Sequence, residues 1–465
     1  MGPCQGPDGG PTPPTRSKNT QLRLSVFVYT LRVYRIKKNS AIITITMLPC
    51  LSEVFPKNTV YYYGFPAGSD SGFYNACPPE IEELVAMRSA VCAGANMKVV
   101  VFSSTVEQDV WNFMRDDLGT NLVSREQLIV LPASINTAVL GAQRNEQTKR
   151  ALAELVPDGA LIMAQPYIDQ RLEKKYLISP NITTWLNDKN NIEEMVPQHY
   201  RVLEFARARN GKNFSTMNAD ALPYPCVVKI SSSSSGNGVI VCANAQELKH
   251  AQHQWKDMPN TIIIQKRIET PKEIDIKFAI HQDRSVPFEI LGYSDEINKP
   301  NGEYLGGIVR CQHSESRLIQ NIRATLLTTI LPIIQQKGWF GVGGVDVLID
   351  KNGQYYFNDF NCRMTATMAQ TMQANQGDIQ SQCILVFNGT FLGSLNELKE
   401  KISPIATHQS QQQRLNIVAL AHDKNEVRLH AGILFDDNRM LKQHITTLQR
   451  LGIRSEMFDH LPYGY

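Results

Sequence analysis

Long apolar runs are missing from these 465 residues. The two best candidates, Leu24–Leu31 and Ala41–Leu48, are separated by Arg32, Arg35, Lys37 and Lys38. Both fall short of the roughly 18–20 residues a helix needs to cross a bilayer. No small-residue cleavage site follows a single apolar core, so a secretory leader is not expected. The expected location is the cytoplasm. An excess of one charge is missing as well: 47 basic residues stand against 44 acidic ones, a net of +3. That balance provides no broad field to gather nucleic acid or anionic lipid. Paired cysteines are also lacking. The nine, at positions 4, 50, 77, 92, 226, 242, 311, 362 and 383, are scattered without a C-x-x-C spacing. Neither a zinc site nor a disulfide framework is expected from them, and free thiols in a reducing compartment are the simplest reading.

What remains is the composition of a globular protein, with 42% apolar and 20% charged residues. The length allows about three domains of ordinary size. Residues 1–46 begin Gly- and Pro-rich and continue as a basic stretch without helical period, so a disordered tail is expected there. From Asn58 to about Pro166 short apolar strands (Thr59–Tyr63, Met97–Phe102, Leu128–Leu131, Leu161–Ala164) alternate with helical patterns (Pro79–Ala93, Val106–Leu118). This alternation predicts βαβ units and a mostly parallel sheet. The loop Gly64–Gly72 after the first strand is a candidate to cradle an anion. Further on, strands are expected at Cys226–Ile230, Val239–Cys242, Thr261–Gln265 and Ile274–His281, then one long helix over Arg317–Lys337. The turn Lys351-Asn-Gly353 predicts a hairpin between Val345–Asp350 and Tyr355–Asn361. Strands near Leu415–Leu420 and Gly432–Phe435 and a helix over Leu441–Leu451 close the chain.

The chemistry-bearing residues fall in order along that second half. Asp346 lies on one hairpin strand, and Asp359 and Asn361 on the other. Residues 359, 361 and 363 alternate and so share a face. Two carboxylates and an amide oxygen are hard ligands suited to Mg²⁺. They sit among Val345, Val347, Phe357 and Phe360, where an uncompensated charge is costly. Arg363 would face the same cavity as a clamp for carboxylate or phosphate. Lys229 ends an apolar strand before Ser231-Ser-Ser-Ser234-Ser235-Gly236-Asn-Gly238, a small hydroxyl-rich loop able to fold over phosphates. Gln265-Lys266-Arg267-Ile268 leads to Glu273, placing strand backbone for an adenine edge and a carboxylate for ribose hydroxyls.

Taken in this order, Leu186 to Thr367 resembles the ATP-grasp superfamily. Leu186-Asn-Asp-Lys189 is similar to its first phosphate-contacting lysine motif and Val227-Val-Lys229 to its second. Gln265–Ile268 resembles its adenine hinge, and Asp346, Asp359 and Asn361 its metal triad. The Asn-Asp-Lys element, Pro166-Tyr-Ile-Asp169 and Asn361-Cys-Arg363 are most like the peptide-ligase branch. The resemblance implies a Rossmann-like pre-ATP-grasp α/β domain over 47–184, an ATP-grasp domain of two α+β subdomains over 185–405 and a small α/β extension over 406–465. It implies ATP with Mg²⁺ or Mn²⁺, and carboxylate–amine ligation through an acyl phosphate. Lys189, Lys229, Ser234, Ser235, Gly236 and Gly238 would hold phosphates. Gln265, Lys266, Arg267, Ile268 and Glu273 would hold the nucleoside, and Arg363 would hold the acceptor or acyl phosphate. By position rather than by resemblance, Arg310, and less so Lys299, lie between these motifs and would add positive charge as catalytic candidates. The partners implied are a small carboxylic acid and an amine. Two departures are visible: Asp359 replaces the usual metal-bridging glutamate, and Gln265 the usual hinge glutamate. A phosphotransferase, or a nucleotide-binding regulatory protein of weak turnover, is the alternative reading.

Overall fold

The alternating first part does form a parallel sheet. In the computed structural model, β1 (Val60–Tyr62), β2 (Lys98–Phe102), β3 (Leu128–Leu131) and β4 (Leu161–Met163) pair in the order β3-β2-β1-β4, every pair parallel. Parallel strands are buried on both faces, which matches the near-continuous apolar run Val99-Val-Val-Phe102, at most 1% exposed. The helix Pro79–Cys92 packs one side through Leu84, Met87 and Val91, at helical spacing. The structure describes residues 50–64, 79–120, 122–132, 142–233, 236, 238–269, 272–299, 301–311, 316–375, 381–406, 414–422 and 425–461. The tail 1–46, most of the Gly64–Gly72 loop, Ser234 and Ser235 lie outside the described residues.

Two antiparallel sheets follow. The smaller, in the order β5-β8-β6-β7, consists of β5 (Glu204–Ala208), β6 (Cys226–Ile230), β7 (Val239–Cys242) and β8 (Ile262–Lys266). The residues gripping the serine loop pair as expected, Lys229 opposite Val239. The larger sheet has nine strands. Its main path is β13-β12-β9-β10-β11-β14-β16-β15, with the two-residue β17 (Ile453–Arg454) also pairing β14. The ranges are β9 Lys272–Ile280, β10 Glu289–Asn298, β11 Tyr304–Arg310, β12 Gly341–Ile349, β13 Tyr355–Asn361, β14 Cys383–Leu392, β15 Leu415–His422 and β16 Glu426–Phe435. The segment after 406 therefore adds its strands to this sheet, with β16 hydrogen-bonded along β14 from Cys383↔Phe435 to Leu392↔Glu426.

Two helices expected as single runs are interrupted. Arg317–Lys337 is α-helical over Arg317–Thr325, widens into a π-turn at Leu326–Ile330 and resumes over Leu331–Gln336. Pro332 accounts for the break, because it lacks an N–H and its ring crowds the carbonyl one turn back. Similarly, Gln108–Asn112 passes into a π-turn at Phe113–Asp117.

The predicted hairpin is present, with one addition. Gly353 takes φ +79°, and the Asp350 carboxylate accepts from the Asn352 and Gln354 amides at 2.8 and 3.0 Å. Pairing runs Ile349↔Tyr355 and Val347↔Phe357, then jumps to Asp346↔Asp359 and Val345↔Phe360. Asn358 is the extra residue of a β-bulge. Without it, Phe357 would share the face of Asp359. With it, Phe357 and Phe360 both turn to the core, where their rings stack 6.5 Å apart, and Asp359 and Asn361 face the other way.

Candidate active site

The smaller sheet and the nine-stranded sheet face each other across a cleft of about 990 Å³. Its lining brings together Lys189, Lys229, Gly236, Gln265, Lys266, Arg267, Ile268, Glu273, Arg310, Asp346, Asp359, Asn361 and Arg363. Of the remaining residues expected at the site, Gly238 ends the serine loop at φ +79° and bonds through its carbonyl to the Ile230 amide.

The acidic end is built on sheet register. Asp346 is the direct partner of Asp359 on one side and of Asp275, in β9, on the other. Directly opposed residues of antiparallel strands share a face, and like charges there repel. Two of the three have cations. Lys189 Nζ lies 2.9 Å from Asp359 Oδ2, and Lys277, fully buried, lies 3.1 Å from Asp275 Oδ2. Among the described residues Asp346 has only the Asn361 amide, at 3.2 and 3.4 Å. Burial, then Asp359, Asp275 and Glu273, pushes the Asp346 carboxyl well above the usual carboxylate range, against the pull of Arg363. A divalent cation between Asp346 and Asp359 would relieve that repulsion, so the residues fit such an ion. Among the described residues no three His, Cys, Asp or Glu side chains gather as a cage. The donor set is two carboxylates and an amide, the sort that leaves coordination positions for phosphate oxygens.

The basic side comes from the earlier chain. The first lysine motif starts with buried Asn187, whose Oδ1 accepts from the Cys362 amide at 3.0 Å and from Arg363 Nη1 at 3.2 Å. Asp188 then caps a short turn by accepting from the Asn190 amide, and Lys189 reaches both Asp359 and the Ser233 carbonyl at 2.9 Å. Lys229 donates to Asn358, the bulge residue. Burial, then the neighbouring Lys189, lowers the Lys229 ammonium to about 8, although Asp359, Glu273 and Asp346 oppose the shift. At the loop, Gly236 has φ +73°, and a Cβ there would meet the Gly302 carbonyl at 2.2 Å. Only glycine allows that approach.

At the hinge expected to meet the nucleoside, Gln265 Oε1 is buried without a partner. The Lys266 and Arg267 amides are already donated to the Leu203 and Pro225 carbonyls at 2.8 and 3.3 Å. Glu273 accepts from Asn298 Nδ2 at 2.9 Å, and burial raises its carboxyl pKa. Arg363 has a buried Nε without a partner, beside its bond to Asn187. Arg310 also lines the cleft, but its guanidinium is held by Asp295 at 2.9 Å and by Cys383 Sγ at 3.4 Å. Lys299 is held by Glu303 and Glu456.

Sequence reasoning missed Asn187, Asn358, Asp275, Glu296 and Thr365. The alternation of Glu273, Asp275 and Lys277 between isoleucines was a signal that all three share a face. Asn187 was read as part of the Asn-Asp-Lys element without a role of its own, and nothing local marks Asn358; the partners of both lie more than a hundred residues away.

A cleft between a small antiparallel sheet carrying lysines and a larger one carrying opposed acids is the arrangement that the ATP-grasp resemblance implies. Comparison with known proteins agrees over part of the chain. A family model described as L-aspartate–L-methionine ligase, ATP grasp, matches residues 208–361, the stretch from β5 to the end of β13. The D-alanine–D-alanine ligase of Thermotoga petrophila is 26% identical over 172 residues, covering 35% of this chain and 54% of that one. The 2-oxoglutarate carboxylase small subunit of Hydrogenobacter thermophilus is 23% identical over 163 residues, 31% of each chain. The chain thus spans about half, or about a third, of the length of these curated relatives. The structure of N5-carboxyaminoimidazole ribonucleotide synthetase in complex with ADP superposes with a TM-score of 0.52 at 14% identity, over 88% of this chain and 98% of that one.

Proposed function

We propose that the protein is an ATP-dependent carboxylate–amine ligase acting through an acyl phosphate. One observation carries the reading: Lys189 and Lys229 meet Asp346, Asp359 and Asn361 in a single cleft large enough for a nucleotide. The family model for L-aspartate–L-methionine ligase and the similarity to D-alanine–D-alanine ligase support it, both being named as ligases of amino acids.

In this reading Gln265 Oε1 accepts from the adenine amino group, an otherwise unmet acceptor. With the Lys266 and Arg267 amides engaged, the hinge backbone reads the base through the Lys266 carbonyl and the Ile268 amide. Glu273 receives the ribose hydroxyls. Lys189 and Lys229 hold phosphate oxygens, and the loop through Gly236 and Gly238 covers them and excludes water. Asp346, Asp359 and Asn361 hold Mg²⁺ or Mn²⁺, which when bound would neutralise phosphate charge as the γ-phosphoryl group departs. Arg363 orients the substrate carboxylate for in-line attack, leaving the amine to displace phosphate. Arg310 acts at one remove, through Asp295. The free cysteines suit a reducing, cytoplasmic setting. Among the described residues no helix is long and apolar enough to cross a membrane.

The test is a coupled ADP-release screen of the full chain with amino acids and dipeptides as acids and amines. Acid- and amine-dependent ADP release with a new amide is expected. ADP release leaving a stable phosphorylated product would show a phosphotransferase instead, and MgATP binding without release would overturn the enzyme reading.

A further inference from the structure

The segment from Cys362 to Thr367 follows the acids of β13 directly, and three of its residues, Arg363, Thr365 and Ala366, line the cleft. It is neither helix nor strand, so its shape depends on what its polar groups meet. Those partners come from several elements. The Cys362 amide donates to Asn187, the Met364 amide to the Tyr61 hydroxyl at 3.1 Å, and Thr365 Oγ1 to Asp275 Oδ2 at 2.7 Å. Thr367 Oγ1 lies 3.0 Å from Ser294 Oγ. The Ala366 carbonyl accepts from Arg88 Nη1 at 2.8 Å, with His430 Nε2 3.1 Å away.

Arg88 is the costly member of this set. It stands on the helix Pro79–Cys92, is 3% exposed, and lays its guanidinium over the Tyr63 ring, 4.9 Å from the centroid. Tyr63 lines the cleft as well. Among the described residues Arg88 has no carboxylate partner, and its Nε has no partner of any kind. The ionisable groups it faces, Tyr61, Cys92, Tyr304 and His430, are held in their neutral forms, chiefly by burial. A buried guanidinium with only a carbonyl and a ring for company costs stability. Packing alone would be served by a methionine of similar reach.

We infer that Arg88 is a positioning residue: it fixes the Ala366 carbonyl and the Tyr63 ring, and through them the way Arg363 meets the substrate. Its effect on turnover rests on the ligase reading. Asn187 holds one end of the strip, at Cys362 and Arg363, and Arg88 holds the other. Without Arg88 the strip is anchored firmly at one end only. The residues expected to hold the nucleotide, Lys229 on β6 and Gln265 on β8, share none of these contacts. Loss of Arg88 should therefore be felt at the acid and spare the nucleotide.

The experiment compares Arg88→Met and Arg88→Lys with wild type in the full chain, using the acid and amine that score in the ADP-release screen. Arg88→Met should lower kcat/KM for the acid at least about tenfold, since a small misplacement near the reacting groups is costly. Affinity for MgADP, read by calorimetry, should not change, and the melting temperature should hold or rise. Arg88→Lys keeps a donor and the charge and should recover part of the loss. A lower melting temperature with unchanged kcat/KM makes Arg88 a purely structural contact and overturns the inference. An equal loss of MgADP affinity overturns it too. Should wild type release ADP with no acid, the ligase reading fails, and hydrogen exchange of the nucleotide-free chain decides. Faster exchange in Arg88→Met over 362–367, with the hinge at 262–268 unchanged, supports the positioning role, and exchange equal to wild type over 362–367 overturns it.

Discussion

Asp359 faces Asp346 across the strand pair and Lys189 across the cleft, so its charge serves both the proposed ion and the lysine that would grip phosphate. Asp359→Asn keeps the shape and removes that charge. Turnover, read as ADP release, should fall about a hundredfold or more, the usual cost of one well-placed electrostatic group. Lys229→Met tests the opposite side. It removes an ammonium that burial already disfavours, so nucleotide affinity by calorimetry should drop while the melting temperature holds or rises. His430 gives a separate reading of stability. Its Nε2 lies 3.1 Å from the Ala366 carbonyl oxygen and its Nδ1 2.7 Å from Asn388 Oδ1. Burial, then Arg88, lowers its pKa to about 3. The unfolded chain takes up a proton near pH 6.5, whereas the folded ring stays neutral until about pH 3. Its contribution is therefore complete above pH 6.5 and lost as pH falls towards 3, at up to about 1.4 kcal/mol per pH unit. Denaturant titrations of His430→Gln between pH 7 and 4, the range where this ring titrates only when unfolded, should show a shallower decline than wild type.

At the scale of elements, the serine loop and the β10–β11 turn meet through bare backbone at Gly236 and Gly302. Gly236→Ala places a methyl against a carbonyl and forces a positive φ, which costs an L-residue about 1–2 kcal/mol before any clash. Nucleotide affinity should fall clearly while the secondary structure seen by circular dichroism stays. The hairpin that carries the acids was legible from Lys351-Asn-Gly353 and from the alternation of 359, 361 and 363. The bulge between them was not read, although Phe357 and Phe360, three apart yet both apolar, break the two-residue period and hint at it. The helix over 317–337 was placed correctly but read as continuous, because apolar spacing alone does not register the carbonyl that Pro332 displaces. Glu296 stayed hidden for another reason. It is an ordinary polar residue on a strand until pairing of β9, β10 and β12 brings it to the face of Asp346.

For the whole molecule, the parallel and antiparallel parts and the lysine–acid cleft were legible, since each rests on local periodicity or on ordered motifs. The path of the larger sheet was not, because strand order depends on contacts between segments far apart in the chain. That order carries a prediction. β16 lies between β14 and β15, so a chain ending at residue 405 would leave the long β14 edge and its apolar neighbours bare. It should be recovered insoluble, whereas a soluble and cooperatively unfolding fragment would show that the last strands are dispensable. The register Asp359–Asp346–Asp275 also bears on what relatives of this chain can look like. One residue gained or lost within β9, β12 or β13 rotates carboxylates out of the cleft and isoleucines into it. Length differences between related chains should therefore collect at the Asp350–Gln354 turn, and an insertion inside one of these three strands should mark a relative that has abandoned the chemistry.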